Sequence, residues 1–415
     1  MITEKKGEQI KKCAWHNPEG GPPCSHEAVP GRRFCPSHDP GSSADAKLAQ
    51  QTELIAQKDF RWSGFAIPFT IDLSHQELEK IDFSLVTLEG SLILEQCHIQ
   101  SLNLNRALVH GELNLSHVII LDHLTLEGFV LQGKADFSNS HLGSVDLSLS
   151  HFNSTADFSN ALFTGRSMFA ITIFEDFADF SYAIFTSEAH FQGTIFLKRA
   201  SFYRSRLGRS LFTNTEMEGV SLAGADIREV IFNGAVFPKD NRLIEERNAV
   251  YPEDYTRAEG VYRAIKQNLQ STGDYEGAGR FFVREMECRR RQLLHNGQWL
   301  KWLWFSTMKW LCNYGESPPR VFIAVLGTVI TFGVLYALLG VWSEEGSHSL
   351  FDMPTGGMGT ILWRALYLSI ITFTTVGYGT PRPAAAAQGP AAVEMVLGVF
   401  LTAVFVVTFT RRLSR

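Results

Sequence analysis

Six consecutive residues near the C-terminal end of the 415-residue chain have types suited to holding a cation: Thr374-Thr375-Val376-Gly377-Tyr378-Gly379. A cation that enters a narrow pore loses its water shell, and stacked backbone carbonyl oxygens can replace that shell. Pointing successive carbonyls along one axis requires backbone angles that most L-residues avoid, which explains glycine at Gly377 and Gly379. The predicted ion-binding residues are Thr375, Val376, Gly377, Tyr378 and Gly379. Because one loop cannot surround an ion, four copies are expected.

Two apolar runs flank this stretch. Val321 to Trp342 has about 22 residues without a charge, and Ala391 to Thr410 is similar apart from Glu394. Each run is long enough to cross a bilayer whose hydrocarbon core is roughly 30 Å thick. Trp363 to Phe373 has the length of a short re-entrant helix, whose C-terminal end would direct partial negative charge toward a cation. Glu394 is either a functional carboxylate within the second run or a side chain that reaches water at its end.

The TVGYG sequence and its flanks resemble the two-helix pore module of the potassium-channel superfamily. The resemblance implies an all-α domain of two helices and a pore loop, a homotetramer, and K⁺ as the permeant ion. It also makes Gly398 a candidate gating hinge, with close helix packing as the alternative. The chain departs from the family pattern at Thr380, where an aspartate often follows the filter, and at Ile371, where some relatives have a glutamate.

Three cysteines and one histidine near the N-terminus form the pattern C-x10-C-x10-C-x2-H: Cys13, Cys24, Cys35 and His38. Three thiolates and one imidazole form a tetrahedral structural zinc site, and zinc binding would stabilise a segment with few apolar residues. The segment resembles a small zinc knuckle. His16 and His26 are alternative ligands, and a disordered tail with incidental Cys and His residues is the alternative to a Zn²⁺ site.

Large apolar residues recur at steps of five or six from Phe83 to Phe237, often after a small and a polar residue, as in Ala135-Asp136-Phe137. This period matches neither a helix nor an exposed strand. It suits a four-sided coil with five residues on each side, in which stacking of coils buries a continuous core. The pattern resembles the pentapeptide-repeat family, which implies a right-handed quadrilateral β-helix. The six-residue steps predict an extra residue at some corners.

Two further segments have helical character. Apolar residues at helical spacing on both sides of Ser271-Thr272-Gly273-Asp274 predict a helical hairpin. The tryptophan-rich stretch from Trp299 to Trp310 predicts an amphipathic helix at a membrane interface.

The sequence therefore predicts a multidomain membrane protein in which a β-helix, a helical linker and a channel domain follow one another. The predicted divisions are a zinc-knuckle segment (1–40), a linker leading into the β-helix (41–82), the β-helix (83–237), a helical hairpin linker (238–298), an interfacial helix (299–319), a first transmembrane helix (320–342), an outer loop with pore helix and filter (343–390), and a second transmembrane helix with a short basic tail (391–415).

The charged residues predict how the chain is oriented in the membrane and argue against some functions. Arginines precede the first span and follow the second, whereas the loop between the spans has more acidic than basic residues. Because basic residues favour the cytoplasmic side of a membrane, both termini are expected to be cytoplasmic. The net charge of −5 gives no support for nucleic-acid binding. We find no nucleophile with a base, no paired-carboxylate site and no phosphate loop, so no enzymatic activity is expected.

Together these features resemble bacterial pentapeptide-repeat-containing potassium channels. The resemblance implies a tetrameric, multi-pass K⁺ channel of the plasma (inner) membrane. Its cytoplasmic N-terminal domain would serve assembly, gating or the binding of an unidentified regulatory partner. The alternative function is a membrane-anchored oligomeric scaffold with a non-conducting pore module.

Overall fold

The computed structural model describes residues 11–18, 23–343, 346–349, 358–377 and 381–413. The chain divides into two compact units, Met1–Asp274 and Tyr275–Arg415. The first unit contains a parallel β-solenoid of about 7 turns over residues 66–221, and the second is mainly helical. The predicted β-helix, helical region and two-helix domain are therefore confirmed.

Short parallel strands form three rows along the solenoid. The first row contains β1 (Ala66–Ile67), β4 (Thr87–Leu88), β7 (Leu108–Val109), β10 (Val130–Leu131), β13 (His151–Phe152), β17 (Ile173–Phe174) and β21 (Ile195–Phe196). The second contains β2 (Ile71–Asp72), β5 (Leu92–Ile93), β8 (Leu113–Asn114), β11 (Ala135–Asp136), β14 (Ala156–Asp157), β18 (Ala178–Asp179), β22 (Ala200–Ser201) and β24 (Val220–Ser221).

The third row changes along the solenoid. Its first members are long strands, and later coils have two short strands in the place of one. It contains β3 (Glu77–Asp82), β6 (His98–Asn103), β9 (Ile119–Thr125), β12 (His141–Asp146), β16 (Ser167–Met168), β20 (Ala189–His190) and β23 (Ser210–Leu211). In addition, β15 (Leu162–Phe163) pairs with β12, and β19 (Ile184–Phe185) pairs with β15.

The register gives the number of residues in each coil. Ala66 pairs with Thr87, 21 positions later, and Ile173 pairs with Ile195, 22 positions later. From Ala200 the partner lies 20 positions later, at Val220. Four sides of five residues give 20, so the earlier coils carry one or two extra residues. This agrees with the extra corner residues predicted from the six-residue steps.

One corner of the early coils requires glycine because adjacent coils approach closely there. A Cβ atom added to Gly133 would lie 2.1 Å from the carbonyl oxygen of Gly111, and one added to Gly111 would lie 2.4 Å from that of Gly90. Both distances are far below a normal contact. The extra residue at this corner is therefore a stacked glycine.

The large inward residues form the core of the solenoid. Every predicted inward position from Phe83 through Phe232 is buried, and Phe237 is half-buried. Phenylalanine rings of successive coils stack on one another. The centroid of the Phe180 ring lies 4.7 Å from that of the Phe158 ring and 4.8 Å from that of the Phe202 ring. Aromatic stacking of this kind stabilises the fold beyond the contribution of buried apolar area.

Both ends of the solenoid are covered within the first unit. At the start, where the sequence predicted a linker, α1 (Ala44–Ala56) forms, and Trp62 stacks on Phe83 with ring centroids 5.1 Å apart. At the end lie α2 (Ile244–Arg247) and α3 (Pro252–Ser271). The Asn268 amide donates to the Ile227 and Val230 carbonyls at 2.8 and 2.7 Å. These contacts pair backbone groups that no further coil reaches.

The second unit contains five helices within its described residues: α4 (Tyr275–His295), α5 (Trp299–Cys312), α6 (Pro318–Leu339), α7 (Met358–Phe373) and α8 (Gln388–Leu413). One 3-10 turn, Asn313–Gly315, precedes α6, and another, Ala385–Ala387, precedes α8. The short strands β25 (Val341–Ser343), β26 (Gly346–His348) and β27 (Arg382–Pro383) pair antiparallel. Two segments, Pro318–Leu339 and Ala385–Arg412, are long and apolar enough to cross a membrane.

We expect Phe180→Ala to reduce the free energy of unfolding by about 3–5 kcal/mol, because it removes a ring that contacts rings of both adjacent coils and leaves a cavity. Leu121→Ala is the control, since Leu121 is 69% exposed on the same solenoid. Denaturant titration of the full chain in detergent, followed by the β-sheet circular dichroism signal, measures both. Equal losses for the two variants would contradict a stacked phenylalanine core.

Candidate functional site

The predicted pore helix corresponds to α7, which packs against both α6 and α8. At its contact with α6, a Cβ atom added to Gly333 would lie 3.3 Å from the Cα atom of Leu366, so the two backbones are close. The apolar cluster around this contact contains Tyr336, Ala337, Val341, Ile361, Ala365, Leu368, Ala387 and Ala391. Ile371 packs against the same cluster, so this position contributes apolar contact where some relatives have a carboxylate.

The predicted filter begins at Thr375, two residues after the end of α7. The Thr374, Thr375 and Val376 amides donate to carbonyls of the last turn of α7 at 3.0–3.1 Å, which fixes the start of the filter to the helix end. Thr375 and Gly377 have φ of +55° and +62°. Such values are common for glycine and rare for a β-branched residue. Tyr378, Gly379 and Thr380 lie outside the described residues.

The described part of the predicted filter is accessible in the single chain. Thr374, Thr375, Val376 and Gly377 are all exposed in the single chain. A dehydrated cation needs oxygen ligands on every side. Because these residues are exposed in one chain, coordination of a cation on every side by this stretch requires oxygens from further copies, as the sequence predicts.

Gly398 on α8 contacts the end of α7. A Cβ atom added to Gly398 would lie 2.2 Å from the Phe373 carbonyl oxygen, which is too close for any side chain. This contact gives Gly398 a packing role, which was the alternative to a gating hinge. The hinge itself remains a prediction.

Glu394 does not reach water in this structure. Its side chain is fully buried, and the Tyr336 hydroxyl donates to its Oε2 at 2.5 Å. The Ser369 hydroxyl oxygen lies 2.5 Å from its Oε1. The carboxyl group therefore joins α8 to both α6 and α7.

In the first unit, the four predicted metal ligands come together. One potential donor atom from each of Cys13, Cys24, Cys35 and His38 lies within 4.8 Å of all the others. His38 Nδ1 lies 3.4 Å from Cys13 Sγ and 3.2 Å from Cys35 Sγ. Tetrahedral zinc, with bonds of about 2.3 Å to sulfur and about 2.0 Å to nitrogen, separates such atoms by about 3.5 Å. The donor set therefore fits a metal ion.

The surroundings of His38 favour metal binding through Nδ1. Its Nε2–H donates to the Ser63 carbonyl at 2.8 Å, and its ring stacks on Trp15 with centroids 4.3 Å apart. A backbone acceptor on one imidazole nitrogen leaves the other free to bind a metal. A hydrogen bond from the Cys24 thiol, with further help from His38, lowers the pKa of the Cys35 thiol.

The two alternative histidines differ from His38. His16 is exposed and is not part of the group. His26 Nδ1 lies 3.2 Å from Cys24 Sγ, and its Nε2 lies 4.0 Å from Asp59. His26 therefore contacts one ligand of the cluster from outside it.

A buried polar cluster precedes the first span in the second unit. Glu287 on α4 accepts hydrogen bonds from Lys309 at 2.8 Å, Tyr314 at 2.7 Å and Arg290 at 3.1 Å, and its side chain is 5% exposed. Burial alone would raise the pKa of Glu287, but these three donors outweigh it and lower the pKa to about 2. These hydrogen bonds to Glu287 hold α4 against α5 and against the turn that leads into α6.

Comparison with protein families agrees with this description. Residues 324–415 match the family model described as ion channel, and residues 197–237 match eight copies of the pentapeptide repeat. The second match covers the part of the solenoid in which the coil has 20 residues, the length that a strict five-residue repeat requires. None of the curated proteins matches the chain. Both resemblances predicted from the sequence are confirmed at this level.

The Glu287 cluster predicts a pH-dependent stability. Because the pKa of Glu287 in the folded protein, about 2, is below the ordinary value of 4.5, its contribution should be complete above about pH 4.5 and lost as the pH falls toward about 2. We expect the stability difference between wild type and Glu287→Gln to shrink over that range, measured by the helical circular dichroism signal. Glu276→Gln, an exposed carboxylate on the same helix, is the control. A pH-independent difference would contradict the assignment.

Proposed function

Because the chain joins a pentapeptide-repeat domain to an ion-channel domain, we propose that it forms a homotetrameric, potassium-selective channel. The channel conducts K⁺ passively across the plasma (inner) membrane. Its filter consists of Thr375, Val376, Gly377, Tyr378 and Gly379 from each of four chains. The N-terminal solenoid is cytoplasmic and serves assembly, gating or the binding of a regulatory partner.

The observation that supports this proposal most directly is the position of the filter sequence. Thr374 to Gly377 follow the C-terminal end of a short apolar helix that packs between two helices long enough to span a membrane. The hydrogen bonds from Thr374 to Val376 hold this stretch to the helix end, and the φ values of Thr375 and Gly377 keep it non-helical. Non-helical backbone at membrane depth is tolerated where it lines a path or is buried in protein.

The arrangement of basic residues supports cytoplasmic termini. Arg289 to Arg291 and Arg320 lie on one side of the spans together with Arg411 and Arg412. In the second unit, Arg411 lies 5.8 Å from the centre of the Phe282 ring on α4, so the two ends of the channel unit are in contact. The positive-inside tendency assigns this side to the cytoplasm. The exposed tryptophans of α5, which are Trp299, Trp304 and Trp310, suit an interfacial position next to it.

The Cys₃His group is proposed to hold structural Zn²⁺. Its ligands Cys13, Cys24, Cys35 and His38 form no open position for a substrate, as is usual for structural zinc. His38 contacts Ser63 and Phe65, next to the first coil, so the metal would stabilise the cover on that end of the solenoid. Solenoids need such covers to shield their terminal core residues.

A membrane-anchored scaffold with a non-conducting pore module remains the alternative function. The solenoid and the zinc segment would suit either function. The two differ in ion flux, because a scaffold has no need of a filter with the backbone angles seen at Thr375 and Gly377.

We expect wild-type protein in liposomes to conduct K⁺ in preference to Na⁺, and Gly377→Ala to abolish this selectivity. Gly377 has φ of +62°, where alanine is strained by roughly 1–2 kcal/mol. Gly359→Ala is the matched control, since Gly359 lies in α7 with no atom near its missing side chain. Flux is measured with opposing K⁺ and Na⁺ gradients. Equal passage of both ions by wild type would refute potassium selectivity, and no flux would favour the scaffold.

Purified full-length protein should contain about one zinc ion per chain, by the stoichiometry of a single tetrahedral site. Cys35→Ser and His38→Ala should lose the metal and lower the melting temperature, whereas His16→Ala should retain it. Cys97→Ser is the matched control, because the buried Cys97 thiol is not among the four ligands and donates to the Leu73 carbonyl, a bond that serine can also make. Metal content is measured by mass spectrometry. Full zinc content in Cys35→Ser would exclude this ligand set.

A further inference from the structure

Glu394 is a buried carboxyl group of the channel unit that is not part of the proposed filter. It lies on α8, and its two oxygens contact hydroxyl groups on two other helices, Tyr336 on α6 and Ser369 on α7. All three side chains are fully buried. The Ser369 hydroxyl oxygen also lies 2.8 Å from the Val329 carbonyl oxygen on α6.

The number of protons available to these contacts indicates the charge of the carboxyl group. Three oxygen pairs are in hydrogen-bond contact: Tyr336 with Glu394 Oε2 at 2.5 Å, Ser369 with Glu394 Oε1 at 2.5 Å, and Ser369 with the Val329 carbonyl at 2.8 Å. Each contact needs one proton between its oxygens. A hydroxyl group has a single proton to donate, and a carbonyl has none. Tyr336 and Ser369 supply two of the three protons, so the third belongs to Glu394.

The distances assign that proton to Oε1. A carbonyl can only accept, so the Ser369 hydroxyl must donate to Val329. Its oxygen then accepts from Glu394 Oε1, while Glu394 Oε2 accepts from Tyr336. An ionised carboxylate at this depth would leave two oxygens in contact with no proton between them, and it would also carry a charge in an apolar region.

The same face of α8 fixes the end of α7. Glu394 and Gly398 are four residues apart and lie on one side of α8, and they meet Ser369 and Phe373, which are four residues apart on α7. Phe373 is the last residue of α7, and Thr375, the first residue of the proposed filter, lies two positions later. Movement of α7 relative to α8 would therefore move the first filter carbonyls.

We propose that Glu394 is a positioning residue, a neutral carboxylic acid that donates to Ser369 and accepts from Tyr336 and thereby holds the pore helix, and with it the filter, in place. This proposal rests on the proposed channel function. Glu394 is fully buried, whereas the described residues of the proposed filter are exposed. Its effect on conduction passes through α7.

Glutamine provides the decisive comparison. The amide of Glu394→Gln can donate to Ser369 and accept from Tyr336, as a neutral acid does, but it cannot replace a carboxylate that accepts two hydrogen bonds. We expect Glu394→Gln to keep the K⁺/Na⁺ permeability ratio and the melting temperature of wild type. Ser369→Ala and Tyr336→Phe should each lower the ratio several-fold, up to about tenfold, the equivalent of one buried hydrogen bond. Val393→Ala, at an α8 position that is 54% exposed, is the control and should change neither.

Infrared spectroscopy tests protonation without ion flux. The difference spectrum of wild type minus Glu394→Gln at neutral pH should contain the C=O stretching band of a protonated carboxylic acid, and this band should shift in D₂O. Carboxylate bands in its place, or loss of selectivity in Glu394→Gln with the fold intact, would overturn the proposal. So would unchanged selectivity in Ser369→Ala and Tyr336→Phe. A wild-type protein without K⁺ flux would instead favour the scaffold over the channel function, and the infrared band and the melting temperatures would still decide the state of Glu394.

Discussion

Polar groups that leave water in this protein must be paired within the protein, and much of the structure follows from how each unit does so. An unpaired buried polar group costs about 1–3 kcal/mol in a soluble domain. The cost is higher in hydrocarbon, where no water competes. The solenoid pairs its backbone between coils, so that the Phe137 amide donates to the Asp157 carbonyl one coil later at 2.7 Å. Its side chains are then free to form a dry phenylalanine core.

The ends of the solenoid have no next coil, and side chains take over the pairing. Glu245 on α2 accepts from the Leu222 amide at 2.8 Å, and Asn268 on α3 donates to two carbonyls of the final turns. At the other end, His38 of the Cys₃His group contacts Ser63 and Phe65, and Trp62 stacks on Phe83 of the first coil. These two covers differ in chemistry because a helix can be stabilised by packing, whereas the short N-terminal segment has few apolar residues to bury.

Buried polar groups must also be paired in the channel unit, where an unpaired group costs more in hydrocarbon. Glu287 on α4 is buried near the end of α5 and retains its charge, because Arg290, Lys309 and Tyr314 surround it with donors. Glu394 lies between α6, α7 and α8, and its partners among the described residues are two hydroxyl groups, so it is neutral in our proposal. The charge on each carboxyl group thus follows from its neighbours, and each group fastens a different part of the unit. One holds the turn before α6, and the other holds the end of α7.

The sequence alone determined the features that depend on local spacing. The five- and six-residue steps indicated a four-sided coil and its inward residues, because each residue's burial there depends on its position within one coil. The TVGYG stretch, the two apolar spans and the Cys and His spacing were equally local. Tertiary structure decided what depends on which elements meet. The first coil begins at Ala66, earlier than the repeat indicated, and a helix occupies Ala44–Ala56 where a linker was predicted.

The partners of Glu394 show why sequence spacing could not reach further. Tyr336 is 58 positions away and Ser369 is 25 positions away, so no local period relates them to Glu394. The sequence left two interpretations open for this carboxyl group and two for Gly398. The choice depended in each case on whether α7 or open space lies next to that residue of α8. Only the packing of α6, α7 and α8 places the Phe373 carbonyl against Gly398 and two hydroxyl groups against Glu394, because a side chain's neighbours across helices depend on how the helices pack.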